Sequence, residues 1–275
     1  MRTLLAGSLL LLSPVCATAA PAPTMRLGEV LVLHAPDLEE DADAPAFEAW
    51  VVDQVAPAWT KNVPGMTAAL FRKDRGNRSG RYLLAWTTDT RARHRDYASA
   101  TGDFPFACSL MARALDFRPG LARFVQGRGR YVEYHLVGPE TVGALPEVEV
   151  LGLHYASVRP ERREAFDRFV AETLHPAVGN LRPDLRLLYY KPVRGDDPGR
   201  YVTVFALTRA SRDRYWPDGQ DSDDLRAAFD PSVAALADDL RGYLVEGSYA
   251  TGALAAAVFE SREWVDWVLV PPADP

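Results

Sequence analysis

Apolar residues follow two different periods along this chain, and the two periods alternate in a fixed order. Short runs rich in Val and Leu, such as EVLVLH (29–34) and EVLGLH (149–154), are typical of buried strands. After each run, apolar residues recur at spacings of three, four and eight, which predicts one buried face of a helix. In the first half these residues are Phe47, Trp50, Val51 and Val55. Prolines at 57 and 176 predict that the two helices bend or end there.

The later part of each half returns to strands. RGNRSG (75–80) and RGDDPG (194–199) predict hairpin turns, because their glycines tolerate positive φ. A less regular helical stretch follows each hairpin, and YVEYHLV (131–137) and WVDWVLV (264–270) close the two halves as strands. Alternation puts one acid, Glu133 or Asp266, on the same face of each closing strand. A solvent-facing position at a sheet edge and a catalytic role are both open for these acids.

The two halves are copies of one another. A shift of 119 residues places Ala46-Phe47 on Ala165-Phe166 and carries the first hairpin onto the second without a gap. The closing strands align at a shift of 133, so the second copy carries an insertion at about 247–260. We therefore predict two repeats, at 26–138 and 147–271, joined by a linker at 139–146. The insertion is either a lid over a cavity or a loop with a short helix.

Each copy has the element order β-α-β-β-α-β, which defines the ferredoxin-like unit. One such unit leaves a sheet face uncovered, and two can cover each other. We therefore predict an α+β fold in which two tandem ferredoxin-like repeats pack sheet on sheet as an intramolecular α/β-barrel. The duplicated order resembles the dimeric α/β-barrel superfamily in its fused, tandem-repeat form. That resemblance implies cofactor-independent monooxygenases, cyclases or isomerases, haem-handling proteins, or proteins without an activity.

The first 19 residues have the features of a secretory signal peptide. An apolar run follows Arg2, and Ala17-Thr18-Ala19 fits a cleavage site, so we predict export to the periplasm or beyond. Cleavage leaves Cys108 alone, either as a buried small hydrophobe or as a reactive thiol or metal ligand. The formal net charge of −6 disfavours nucleic-acid binding, and no later segment is apolar enough to span a membrane.

Familiar site motifs are missing from the sequence. The zinc spacings, the glycine-rich nucleotide-binding loops and the GxSxG nucleophile motif do not occur. We therefore predict no metal site and no cofactor.

The histidines are the remaining candidates for chemistry. His34 and His154 end equivalent strands, where an imidazole either works as an acid or base near neutral pH or simply closes the strand by bonding to the backbone. His175 follows the second helix stripe, and its partner in the first copy is Ala56, so it is specific to the second half. A polar helix end and a functional role are both open for it.

The strand after His175 adds Tyr189, Tyr190 and Lys191. We predict His154, His175 and Tyr189 as catalytic residues, and Tyr190, Lys191 and His34 as ligand-binding residues. The predicted function is binding of a small hydrophobic or aromatic ligand, with histidine acid–base catalysis as an extension. A non-catalytic binding or stress-related protein is one alternative, and haem binding through His154 or His175 is another. The predicted partner is a small molecule, and the chain is expected to be a monomer or a homodimer.

Overall fold

The structure is a computed structural model. It describes residues 25–97, 117–127, 129–138, 147–178, 182, 184–217, 222–228, 236, 238–246 and 263–272. Its strands are β1 (Met25–Arg26), β2 (Val30–Ala35), β3 (Met66–Gly76), β4 (Tyr82–Thr88), β5 (Arg130–Val137), β6 (Glu147–Val148), β7 (Val150–Ser157), β8 (Arg186–Gly195), β9 (Arg200–Leu207) and β10 (Glu263–Leu269).

Eight of these strands form a closed antiparallel barrel. Their order around it is β10-β3-β4-β2-β5-β8-β9-β7, and β7 pairs with β10 to complete the ring. Strands β3-β4-β2-β5 come from the first repeat and strands β10-β7-β9-β8 from the second, each in the order of a ferredoxin-like sheet. The predicted α+β fold with two ferredoxin-like repeats in one intramolecular α/β-barrel is therefore confirmed.

The barrel wall separates three apolar clusters. The interior cluster takes alternate residues from strands of both repeats, including Leu31, Leu153 and Trp267. The other residues of the same strands face outward, where Val30 packs under the helices of the first repeat and Val150 under those of the second. This two-sided burial explains why the strands are nearly continuous apolar runs.

The helices of the two repeats widen at equivalent places. The first helical region runs as Ala44–Ala49, a π-helical turn at Trp50–Val55 and Ala56–Asn62. The second runs as Pro160–Arg162, Arg163–Phe169, a π-helical turn at Val170–Leu174 and His175–Val178. Proline lacks an N–H and its ring clashes with the carbonyl four residues earlier, so a wider turn just before it relieves the clash. The helices therefore continue through Pro57 and Pro176 instead of ending there. The shorter helices are Arg91–Tyr97, Phe117–Ala122, Arg209–Tyr215 and Asp223–Ala228.

Two seams join the repeats. At one, β3 pairs with β10, and at the other, β8 pairs with β5. Each seam has a bulge beside the acid of the closing strand, between Glu133 and Tyr134 or between Asp266 and Trp267. Gly76 and Gly195 end β3 and β8 with φ of 113° and 119°, so the seams are built alike. We did not predict the small sheet in which β1 pairs with β6.

Several sequence predictions fall outside the described residues. These are the signal peptide, Cys108, the linker at 139–146 and the insertion at about 247–260. Within the part of the chain that is described, no helix has the length and apolar character needed to cross a membrane.

Candidate functional site

Two imidazoles and one carboxylate converge on the outer face of the first repeat. Glu133 and His135 lie two residues apart on β5 and therefore share a face of the strand. His94 reaches them from the helix Arg91–Tyr97. Arg91 fastens the start of that helix, because its backbone N–H donates to Glu29 at 2.8 Å and its guanidinium donates to the carbonyl of Leu136 on β5.

The three side chains meet at one carboxylate oxygen. Glu133 Oε1 lies 3.2 Å from His94 Nε2 and 3.4 Å from His135 Nε2. Both Nε2 atoms are buried, and neither has hydrogen-bond geometry to any partner among the described residues. The two rings stand nearly perpendicular, with an interplanar angle of 81° and centroids 6.2 Å apart. Three potential metal-ligand atoms thus lie within 4.8 Å of one another.

The second carboxylate oxygen is held from the other side. Arg194, opposite Glu133 across the β5–β8 seam, donates to Oε2 at 2.6 Å. The Tyr131 hydroxyl lies 3.3 Å from the same oxygen and 3.1 Å from the Arg194 guanidinium. Burial opposes ionisation of Glu133, but its interactions with His135 and His94 and the charge of Arg194 outweigh burial and hold its pKa well below the usual range. The carboxyl is therefore an anion, with Oε2 fixed and Oε1 turned toward the imidazoles.

The equivalent place in the second repeat has a different chemistry. Asp266 takes the position of Glu133, and Arg75 donates to it at 2.5 Å across the other seam. However, Asp213 and Val268 stand where the first repeat has His94 and His135. Burial raises the pKa of Asp266 in spite of the opposing hydrogen bond and charge of Arg75. The duplication therefore preserved a cross-seam ion pair twice and surrounded it with histidines only once.

The solvent-facing interpretation of Glu133 and Asp266 is wrong. Their side chains are 7% and 8% exposed, because the closing strands are not sheet edges but pair on both sides. Sequence reasoning also assigned no metal site. It singled out Glu133 but did not connect it with His94 or His135. One signal was present, since alternation places an acid and a histidine on one face of YVEYHLV. The third group comes from a helix about 40 residues away, so no local motif contains all three.

The predicted residues of the second repeat lie partly together. His154 on β7 and Tyr189 on β8 are both register partners of Thr203 on the intervening strand β9, so the three form a row across the outer face. His175 stands over this row, with its ring perpendicular to that of Tyr189 and the centroids 6.4 Å apart. The gap beside Tyr189 and Thr203 is closed by packing and leaves no room for a water molecule.

Burial shifts the pKa values of His175 and Tyr189 so that both side chains stay uncharged. It lowers the pKa of His175, with repulsion from Arg186 adding to the effect and a hydrogen bond to the backbone of Leu187 opposing it. Burial also raises the pKa of Tyr189 far above its usual value. Both groups are therefore neutral at pH 7. Their predicted catalytic role, like that of His154, stays a prediction.

The three predicted ligand-binding residues lie in separate surroundings. Tyr190 points into the barrel and donates to the Gly28 carbonyl at 2.8 Å. Lys191 is paired with Asp167 at 2.6 Å on the outer face of the second repeat. His34 belongs to the first repeat and stacks on Trp86, with an interplanar angle of 15°. The structure does not gather these three side chains around one pocket.

Comparisons with known proteins add little beyond this geometry. No protein-family model matches the chain, and no curated protein matches it significantly by sequence. Among solved structures, it is similar to a candidate monooxygenase from Fusobacterium nucleatum at 8% identity and a TM-score of 0.49, with 88% of this chain and 91% of the other covered. It is also similar to an anthrone oxidase-like protein at 12% identity and a TM-score of 0.42, with coverage of 91% and 94%. Scores this low do not bear on function, and the fold is established by the strand order itself.

Proposed function

We propose that this barrel is a metal-binding protein and that His94, Glu133 and His135 hold one divalent transition-metal ion. The observation that carries the proposal is the convergence of two buried Nε2 atoms on one carboxylate oxygen without hydrogen bonds to it. In a purely structural network, a buried ring nitrogen is normally oriented to donate or accept a hydrogen bond. Here both nitrogens lie close enough to attract the Oε1 charge, but their geometry falls outside that of a hydrogen bond.

The distances fit the edges of a coordination polyhedron. Imidazole nitrogens and carboxylate oxygens bind Zn²⁺ at about 2.0–2.2 Å. Two ligands at that distance, separated by an angle between 90° and 110°, lie roughly 3.0–3.4 Å apart. The two measured separations, 3.2 and 3.4 Å, match this range.

The surroundings supply the outer contacts that a metal centre needs. Carboxylate ligands are normally fixed by hydrogen bonds to their second oxygen, and Arg194 and Tyr131 provide them for Glu133. A ligand histidine is normally oriented through its other ring nitrogen, and Thr88 Oγ1 lies 3.4 Å from His94 Nδ1.

Three protein ligands leave coordination positions for a water molecule or an exogenous ligand. Two histidines and one carboxylate form the ligand set of both catalytic zinc and non-haem iron(II) centres. The imidazole side chains are partly exposed, 13% for His94 and 24% for His135, although their Nε2 atoms are buried, so the centre lies just beneath the surface. We therefore infer an open centre, suited to act on a small ligand, and not a closed structural site.

The test is metal binding by the full chain and by two matched variants. Zn²⁺ and, under anaerobic conditions, Fe²⁺ are titrated separately into chelator-treated protein and followed by calorimetry, with elemental analysis of the product. We expect one ion per chain. His135→Val places at this position the residue that the second repeat carries, Val268, so the strand should still fold. It should lower the affinity at least about 100-fold, since it removes one of three ligands and costs more than the outer-contact changes that give 10–100-fold.

The control is the equivalent acid of the second repeat. Asp266→Asn changes the equivalent acid, which also pairs with an arginine across a seam but has no histidine beside it. Binding that is lost in Glu133→Gln and kept in Asp266→Asn locates the ion at the first-repeat cluster. Equal binding by the wild type and His135→Val would overturn the proposal, as would a wild type that takes up neither ion.

A further inference from the structure

One end of the barrel interior holds a second, separate pocket. It encloses about 400 Å³ when its open mouth is included, but only a small part of that space is wide enough to take a water-sized group. Most of its wall residues are apolar or aromatic, including Tyr134, Tyr155 and Trp267. It lies inside the barrel, whereas the His94–Glu133–His135 cluster lies on the outer face.

Every charged residue among the described residues that line this pocket is cationic. Arg78 and Arg130 both belong to it, and no acidic side chain does. Arg130 is exposed at the mouth of the pocket and donates a hydrogen bond to Ser79 Oγ at 2.5 Å. Arg78 lies deeper, with its guanidinium 3.9 Å from the centroid of the Tyr155 ring. Its side chain is 13% exposed, and its Nη2 atom forms an ion pair with Asp197 at 3.6 Å.

Two hydrogen-bond donors of the lining lack acceptors. Arg78 Nη1 and Trp267 Nε1 are buried and have no hydrogen-bond partner among the described residues. Trp267 is 2% exposed, so its indole N–H is cut off from bulk water. A buried donor without an acceptor is destabilising, so both donors favour an acceptor that enters the pocket.

We propose that this barrel-end pocket is a binding site for a small singly charged anion of the size of chloride or formate. Two arginines and no acid line the pocket itself, which favours negative charge there, and Arg78 Nη1 with Trp267 Nε1 supplies a charged and a neutral donor. The narrow interior of the pocket excludes larger anions. Tyr155 fixes the guanidinium plane by stacking, so the site is formed before the anion arrives.

The experiment follows the indole N–H resonance of Trp267 by NMR in the full chain. The resonance is assigned by its loss in Trp267→Phe, which keeps a ring in the core. Sodium formate then replaces sodium gluconate at constant ionic strength, because gluconate is too large for the pocket. We expect a saturable shift that fits one site, and chloride should compete with formate.

Two arginine variants test whether the shift of the Trp267 resonance reports formate binding in this pocket. Arg78→Gln should weaken formate binding at least tenfold. Arg81→Gln is the matched control, since Arg81 is on the same hairpin but lies over Tyr82 outside the pocket, and it should leave binding unchanged. A shift that grows linearly without saturation, or one that is equal in Arg78→Gln, would overturn the proposal of an anion site. Glu133→Gln should bind formate like the wild type, so this result is independent of the metal site.

Discussion

Replacing Gly195 by alanine tests how the barrel is closed. Gly195 ends β8 at the seam with β5, with φ of 119°, a conformation that side chains other than glycine rarely adopt. A Cβ atom built there would lie 2.2 Å from the Tyr131 carbonyl oxygen and 2.8 Å from the Val132 Cα atom. Both obstacles are backbone of the partner strand, so no side-chain rotation can clear them.

The cost of this change follows from two contributions. Backbone strain at a residue of this conformation is about 1–3 kcal/mol. To admit the methyl group, β5 must withdraw by about 1 Å, and that movement breaks the 2.9 Å bond from the Asp196 N–H to Tyr131, which is worth about 1 kcal/mol. We therefore expect Gly195→Ala to lower the free energy of unfolding by about 3 kcal/mol or more. Gly76→Ala should do the same at the other seam, where Cβ would lie 2.5 Å from the Trp264 carbonyl.

Gly127→Ala separates strain from collision. Gly127 also has positive φ, 68°, but nothing lies within 4 Å of its Cβ position among the described residues. It should lose only about 1–2 kcal/mol, the usual cost of a left-handed conformation for alanine. Urea unfolding of the three variants and the wild type, followed by far-ultraviolet circular dichroism, gives the comparison. If Gly195→Ala is within 1 kcal/mol of Gly127→Ala, the seam is more compliant than its geometry indicates and the reasoning fails.

Three further changes give independent checks. Tyr190→Phe removes the buried bond to Gly28 and should cost about 1–2 kcal/mol in urea unfolding, whereas no loss would mean that this bond is not formed. Because the folded-state pKa of Asp266 is raised, its contribution to stability falls as pH rises from the unfolded value of 3.8 through the folded one. Asp266→Asn should therefore gain stability relative to wild type over that interval, and a constant difference would contradict the shift. Arg194→Met keeps the stem but frees Glu133, and should weaken Zn²⁺ binding about 10–100-fold by calorimetry, with unchanged affinity refuting its supporting role.

The fold was predictable from the sequence because both repeats carry the same order of strand and helix patterns. Period-two and helical patterns occur in the same order in both halves, and the outward positions of Val30 and Val150 follow from simple alternation. The continuation of the helices through Pro57 and Pro176 was not predictable from local rules. It depends on a π-helical turn, which the tertiary packing of both repeats stabilises.

The candidate metal site was less accessible to sequence reasoning. Glu133 looked like an edge residue because a single ferredoxin-like sheet has edges, and only closure of the barrel brings Arg194 beside it. His94 depends on the docking of a short helix that has no apolar stripe of its own. His154 and Tyr189 were predicted to lie on strands and do lie on β7 and β8, but the filling of the space beside them is decided by packing from other elements.

The two seams also have a consequence for how the protein can vary. When two identical chains form a symmetric pair, every substitution appears twice, and both copies of a site must change together. Here the halves share one chain, so Glu133 and Asp266 occupy matching positions and yet are free to specialise separately. A histidine at 135 can serve one half while valine at 268 serves the other. Because the two repeats share one chain, they can therefore diverge in sequence. The Glu133–Arg194 pair has two histidines beside it, whereas the equivalent Asp266–Arg75 pair has aspartate and valine at those positions.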